Sequence, residues 1–181
     1  HKNQIIFHTD AVQVVGKITV DVKELDVDLL SISSHKLHGP KGIGALYIKD
    51  GVKINPMILG GGQEFRLRSG TENVANIVGF GQACEIAQNH LTENTALINK
   101  LQSQLVKKIL VEIPEVTFNG HEEYRLCNNA HFTFLGVNGE DLIIKLDEYG
   151  IAASTGSACS VNTQKASHVL EAMGFSLEQI T

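Results

Sequence analysis

Apolar positions fall into short blocks over the first part of this chain and then into a long helical stripe. Ile5-Ile6-Phe7-His8-Thr9-Asp10 is a short run ending at a carboxylate. Asp28-Leu29-Leu30-Ser31-Ile32-Ser33 ends at a Ser-Ser-His-Lys segment, and Ala45-Leu46-Tyr47-Ile48 follows the turn-rich Gly39-Pro40-Lys41-Gly42-Ile43-Gly44. Runs this short, bounded by glycine and proline, predict strands rather than helices. They lack strict polar alternation, which is the pattern of strands buried on both faces in an α/β sheet.

Gly60-Gly61-Gly62 opens an irregular segment reaching Ser69-Gly70-Thr71. From about residue 73 to about residue 110 the period becomes helical. Ile77, Phe80, Gly81 and Cys84 open a stripe that Leu97, Leu101, Leu105 and Ile109 continue. So long a single helix is unusual in a globular chain, and a break is expected between Asn89 and Asn94. After Pro114 the texture changes again. Val116-Thr117-Phe118, Ala130-His131-Phe132-Thr133-Phe134 and Ile151-Ala152-Ala153-Ser154 predict strands, while residues 142–149 and 167–173 predict helices.

The order predicts an α/β unit over residues 1–90 and a small α+β unit over 91–181, with the boundary near 88–95. No internal repeat or low-complexity tract interrupts either. Three apolar strands cannot cover themselves, so the sheet is expected to draw neighbours from a longer parent sequence, and the chain reads as a fragment.

Composition narrows the classes of function. Of 181 residues, 43% are hydrophobic and 19% charged, the profile of a globular chain with a core. A net charge of -5 without long runs of either sign gives no footprint for nucleic acid or an anionic membrane. No apolar stretch approaches the roughly 20 residues of a membrane span, and no signal-peptide pattern opens the chain. The three cysteines, Cys84, Cys127 and Cys159, are far apart and form no metal-ligand spacing. An odd count without an export signal points to a reducing compartment, so a cytoplasmic location is expected.

The chemistry starts from Lys36, placed at the end of an apolar strand. Burial disfavours the charged form of a lysine and lowers its pKa, as an amine that forms a Schiff base requires. Ser33, Ser34 and His35 supply two hydroxyls and an imidazole to hold a phosphate, and the following glycines let backbone N–H groups approach that anion. Taken alone, the pattern is also that of a solvated strand end. Asp10 ends the neighbouring strand, where a carboxylate can pair with a protonated pyridine nitrogen. Gln13, on the same side of the following turn, can donate to a phenolic oxygen. The bland alternative is that Asp10 caps the turn opening at Ala11. Cys84, on a helix face, and Cys127, before a strand, read as small buried hydrophobes. His8, His90, His121, His131 and His168 fit no metal spacing, and no metal is expected.

Five segments then occur in the order and approximate spacing of one family. They are Asp10-Ala11-Val12-Gln13-Val14-Val15-Gly16-Lys17, Ser33 through Gly44, Gly60-Gly61-Gly62-Gln63-Glu64, Arg68-Ser69-Gly70-Thr71, and Ser154-Thr155-Gly156-Ser157-Ala158-Cys159-Ser160. The series resembles the cysteine desulfurases, fold-type I pyridoxal phosphate enzymes of the class V aminotransferase group, over nearly the whole chain. The resemblance implies the later half of their large mixed-sheet domain followed by most of the small α+β domain. It makes Lys36 the Schiff-base lysine that also moves the proton at the substrate α carbon. Asp10 pairs with the pyridinium nitrogen, Gln13 bonds the phenolic oxygen, and Ser33 and His35 hold the cofactor phosphate.

Thr71 matches a threonine that reaches the phosphate of the partner subunit, which implies a homodimer. Cys159 matches the cysteine that attacks the sulfur of L-cysteine, becomes a persulfide and releases L-alanine, with a sulfur-acceptor protein downstream in iron–sulfur cluster or thio-cofactor assembly. Its setting among Ser, Gly and Ala suits an exposed loop that carries a thiolate from cofactor to acceptor. The family also carries a ring-stacking histidine and an asparagine before this region, and a carboxylate-binding arginine after it. Two alternatives stay open from sequence: another class V enzyme, such as a selenocysteine lyase or aminotransferase, and a non-catalytic scaffolding fragment.

Overall fold

A computed structural model describes residues 5–155 and 167–176. The chain divides into two compact units, His1–Asn99 with Leu126–Asn128, and Lys100–Arg125 with Asn129–Thr181.

In the first unit the three expected strands form one mixed sheet, in the order β1 (His8–Asp10), β2 (Leu29–Ser33), β3 (Gly44–Ile48). β1 runs parallel to β2, from His8 opposite Leu29 to Asp10 opposite Ser31. β2 pairs antiparallel with β3, from Leu29 opposite Ile48 to Ser33 opposite Gly44. The crossover between the parallel strands begins with a turn in which the Ala11 carbonyl accepts the Val14 and Val15 N–H groups at 3.0 and 3.1 Å. It brings Ala11 and Val27 onto Leu30, and Val14, Val15, Val20, Val22, Ile32 and Tyr47 pack around them.

Side chains alternate along a strand, so Leu30, Ile32 and the paired Tyr47 share the face toward that core. His8, Asp10, Ser31 and Ser33 have the opposite parity. The expected burial of both faces is therefore corrected. On that second face Leu46, opposite Ser31, is 45% exposed. The runs looked uniformly apolar because their polar members lie at alternate positions that short windows do not separate.

The helical stretch is two helices, α1 (Val74–Asn89) and α2 (Leu91–Glu112). Asn73 caps α1 by accepting the Asn76 N–H at 3.4 Å. The break falls at His90, inside the stretch where it was expected. α1 lays Phe80 and Ala83 against Leu37, with Val15, Ile32, Ile43, Cys84 and Ala87 around them, which makes a second small core. The Thr95 hydroxyl donates to the Lys17 carbonyl at 3.1 Å and ties the start of α2 to this unit. The leucine stripe of α2 has the expected period but is not buried, since Leu97, Leu101 and Leu105 are 55%, 55% and 49% exposed.

The second unit contains the antiparallel pair β4 (Val116–Phe118) and β5 (Phe132–Phe134). Phe118 and Phe132 stack across it with ring centroids 5.1 Å apart, and the Arg125 guanidinium lies 3.6 Å from the Phe118 ring centroid. α3 (Gly139–Glu148) is capped by Asn138, which accepts the Glu140 and Asp141 N–H groups at 2.9 and 3.1 Å. α4 (His168–Ala172) is capped by Ser167. The strand expected at 151–154 does not form: these residues join no ladder, and Ile151 is 52% exposed. Propensity alone does not make a strand without a hydrogen-bonded neighbour.

Candidate active site

β1 and β2 run in the same direction, so their carboxyl ends lie side by side. In open α/β sheets this is the edge where ligands bind. The Ala11 N–H donates to the Ser31 carbonyl at 2.9 Å, and the His8 ring and Ser31 hydroxyl hydrogen-bond at 2.8 Å. These contacts fix Asp10 beside the last residues of β2. The Asp10 Oδ1 accepts the Val12 N–H at 2.9 Å, so the capping reading is realised. It does not consume the carboxylate: the residue is exposed, and its other oxygen accepts nothing among the described residues. Gln13 is exposed on the same turn.

β2 extends past β1 to Ser33 and passes into a 3-10 turn, Ser34–Leu37. The Ser33 hydroxyl and His35 Nδ1 hydrogen-bond at 2.8 Å. Lys36 is half-buried, between exposed His35 and buried Leu37. The Ser34 carbonyl accepts the His38 and Gly39 N–H groups, the latter at 3.0 Å, and its own N–H donates to the Ile43 carbonyl at 3.1 Å. His38 closes the turn in the left-handed region, with φ 63°.

Asp10, Ser33, His35 and Lys36 thus come together at one sheet edge. The expectation that Ser34 contributes a second phosphate-facing hydroxyl is corrected. Ser34 is 0% exposed, and its hydroxyl lies inside the turn without a hydrogen-bond partner among the described residues. A tight turn points adjacent residues to different sides, which the dipeptide Ser33-Ser34 could not reveal. His8, an exposed residue of β1, hydrogen-bonds to Ser31 next to Asp10. Its parity with Asp10 on one strand was the available signal.

Thr71 is exposed. It follows Gly70, at φ 113°, on a loop closed by Ser69 Oγ donating to the Gly61 carbonyl at 2.8 Å and the Gly70 N–H donating to Gln63 Oε1 at 3.1 Å. Within this loop Glu64, Phe65 and Arg66 all take left-handed φ, 48°, 56° and 68°. That conformation costs non-glycine residues roughly 1–2 kcal/mol each, and Phe65 is 94% exposed. Cys159, with residues 156–166, lies outside the described residues. Burial pushes the Cys84 thiol up from its ordinary pKa, and Cys127 is buried. Both fit small packing residues rather than nucleophiles.

This donor set suits one kind of group. A pyridine ring with an aldehyde and a phosphate needs an amine, a carboxylate for its ring nitrogen, and hydroxyl and imidazole partners for its phosphate. Lys36, Asp10, Ser33 and His35, at adjoining strand ends, are the residue types that would supply these. The mixed α/β sheet is that of the fold-type I pyridoxal phosphate class. The family model for aminotransferase class-V matches residues 1–179. The chain belongs to the class V aminotransferase family.

Among its relatives, the cysteine desulfurase IscS of Methanosarcina thermophila is 50% identical over 173 residues, covering 96% of this chain and 43% of the relative. Cysteine desulfurase IscS 1 of Archaeoglobus fulgidus is 47% identical over 172 residues, covering 95% of this chain and 45% of the relative. Among solved structures, a NifS-like protein from Rickettsia africae superposes with a TM-score of 0.88 at 38% identity, covering 99% of this chain and 47% of that one. The chain therefore spans less than half the length of the curated relatives it matches. Among the described residues no helix is long and apolar enough to cross a membrane.

Proposed function

We propose that the chain forms the cofactor-lysine and sulfur-accepting part of a pyridoxal phosphate-dependent cysteine desulfurase, which converts L-cysteine to L-alanine and leaves a persulfide on Cys159. The observation that carries this reading is the convergence of Lys36, Asp10, Ser33 and His35 at the carboxyl ends of β1 and β2. Residues 1–90 would belong to the large cofactor-binding domain and 91–181 to the small domain that carries the cysteine loop.

When bound, the cofactor supplies an electron sink for the substrate α carbon. Lys36 would hold it covalently and would then move the proton at that carbon. Asp10, whose second carboxylate oxygen accepts nothing among the described residues, would pair with the ring nitrogen. Gln13 would donate to the phenolic oxygen, and the Ser33–His35 pair would bind the phosphate. Cys159 takes the substrate sulfur as its thiolate: the new S–S bond forms as the substrate C–S bond breaks, and alanine leaves after protonation at carbon. Thr71 completes the phosphate site of a second subunit, which makes the working enzyme a homodimer. A sulfur-acceptor protein then receives the persulfide in iron–sulfur cluster or thio-cofactor assembly, in the cytoplasm.

The test is alanine formation from L-cysteine by the full-length parent. Cys159→Ala is expected to abolish it while leaving cofactor absorbance intact. Unchanged alanine formation in that variant overturns the desulfurase reading in favour of another class V reaction.

A further inference from the structure

The turn that carries Lys36 is seated on α1 with no spare room. A β carbon added at Gly39 would stand 2.3 Å from Ser34 Oγ and 2.9 Å from the Ala83 β carbon. One added at Gly79 would stand 2.8 Å from Pro40 Cγ, and one at Gly16 would stand 2.6 Å from Leu37 Cδ2 and 3.6 Å from the Ala87 β carbon. Gly79, Ala83 and Ala87 are four residues apart and share one face of α1. Segment 34–40 and Gly16 therefore rest on a single row of small helix positions, directly behind Lys36.

Small residues are common wherever a turn meets a helix, and packing alone would explain them. Two features point further. Ser34 is fully buried with an unpartnered hydroxyl. An alanine there would avoid the cost of the orphan group, so stability alone does not account for it. In addition, three backbone bonds that hold the turn run through this residue: its carbonyl accepts from His38 and Gly39, and its N–H donates to Ile43. Between Ser34 and Gly39 the chain is fixed at both ends, with Lys36 in the middle. Leu37, 8% exposed, is held among Phe80 and Ala83. The Lys36 side chain is half-buried and enters none of these bonds.

We propose that the Gly79–Ala83–Ala87 row of α1, closed by Ser34 and Gly39, is a seat that positions the Lys36 amine. Its members act as positioning residues for the covalent cofactor link without touching the cofactor. The inference rests on the reading of Lys36 as the cofactor lysine. It identifies α1, a helix that supplies no group to the site, as the element that sets where the amine stands. An amine displaced by about 1 Å loses alignment with its target, which can cost about two orders of magnitude in rate.

α1 supplies its own control. A β carbon at Gly81 would meet nothing within 4 Å, two residues from Gly79 on the same helix. Gly81→Ala, which helix propensity favours, should leave Lys36 unchanged, whereas Gly79→Ala and Gly39→Ala should move it. The readout is the rate at which trace acetic anhydride acetylates Lys36 in the chain without cofactor, measured by peptide mass spectrometry against exposed Lys23 and Lys53 across pH. Gly79→Ala and Gly39→Ala are expected to change the relative Lys36 rate about fivefold or more and to shift its pH midpoint, because overpacking favours local opening of the turn.

Adding Ser34→Gly and Ala83→Gly to Gly39→Ala removes both clashes and should return the rate toward the parent value. That comparison holds even where the single variant folds poorly, since the combined variant then restores fold and rate together. The proposal is overturned by wild-type Lys36 rates in folded Gly39→Ala and Gly79→Ala. It is equally overturned if Gly81→Ala gives the same change, or if the combined variant gives no restoration. Should the seat variants behave as expected while a borohydride-fixed pyridoxyl label never lands on Lys36, the cofactor reading fails and the seat stands.

Discussion

The Lys36 turn and the β4–β5 pair handle polar groups in opposite ways. At the turn His35 is exposed and Lys36 half-buried, and the packing lies behind them: Leu37 is buried against Phe80 and Ala83, and Ser34 turns inward with it. Across β4 and β5 the polar groups are inside and bonded to each other. Asn119, 4% exposed, donates through Nδ2 to His131 Nδ1 and to the Thr133 hydroxyl, both at 2.8 Å. Its N–H donates to the His131 carbonyl at 2.8 Å, and its own carbonyl accepts from Arg125 Nη2 at 2.6 Å. In the second cluster Asn119 Nδ2, the His131 ring and the Thr133 hydroxyl are bonded to one another, while the buried Asn119 Oδ1 has no hydrogen-bond partner among the described residues. The first holds its backbone by hydrogen bonds and leaves the Lys36 amine and the second Asp10 oxygen without hydrogen-bond partners among the described residues, the arrangement that a binding site requires. A histidine in a polar cluster is thus not itself a sign of chemistry; what matters is whether its partners are already inside the protein.

The largest effect that separates the two regions is expected from Asn119→Ala. It removes the donor to His131 and Thr133 in a buried site and should cost about 2–3 kcal/mol, read as a lower thermal midpoint, with no change in cofactor binding at Lys36. If the two regions play the same kind of role, this substitution would instead weaken cofactor binding in proportion.

A second difference is in pH. Burial, and then the Arg125 charge, hold His131 below its ordinary pKa. The folded unit therefore keeps His131 neutral while the unfolded chain takes up a proton. Stability is full above the ordinary value near 6.5 and is lost as pH falls toward the lowered value, below which both states are protonated and the loss stops. Thermal melts from pH 8 to pH 5 should show this decline, and His131→Gln should flatten it. A decline of equal size in His131→Gln would place its origin elsewhere.

At the turn, effects on stability should be smaller and effects on the cofactor larger. Asp10→Asn keeps an oxygen for the Val12 N–H, so the melting temperature should hold. Asp10→Ala loses that cap at about 1 kcal/mol. Both should lower the affinity for pyridoxal phosphate, measured by absorbance titration, because both lose the charge opposite the ring nitrogen. Equal affinity in wild type and Asp10→Asn would remove Asp10 from the site. Smallest of all, Ser34→Ala should be neutral to slightly stabilising in thermal melts, since it deletes an orphan buried hydroxyl.

Much of this was legible in the sequence because local pattern dictated it. The apolar runs ending at Asp10 and Ser33 became β1 and β2, and the helical period from Ile77 to Ile109 became α1 and α2 with the break at His90. Asp10, Ser33, His35 and Lys36 stood out at strand ends, where residues project to one edge, and it was the family resemblance that gave them roles. What escaped depended on distant parts of the chain. The burial of Ser34 comes from α1, some fifty residues away, and no feature of Ser33-Ser34-His35 announces it. Residues 151–154 have strand propensity and join no ladder. The leucines of α2 keep their period but remain exposed, because spacing predicts a face and not what covers it.

The most direct measurement of the central claim is covalent. The chain is incubated with pyridoxal phosphate, reduced with borohydride and mapped by peptide mass spectrometry, with Lys36→Ala alongside. A single pyridoxyl addition is expected on the peptide carrying Lys36, absent in Lys36→Ala, in a variant that melts like the parent. Label spread over exposed lysines such as Lys23 and Lys53, and unchanged by Lys36→Ala, would contradict it.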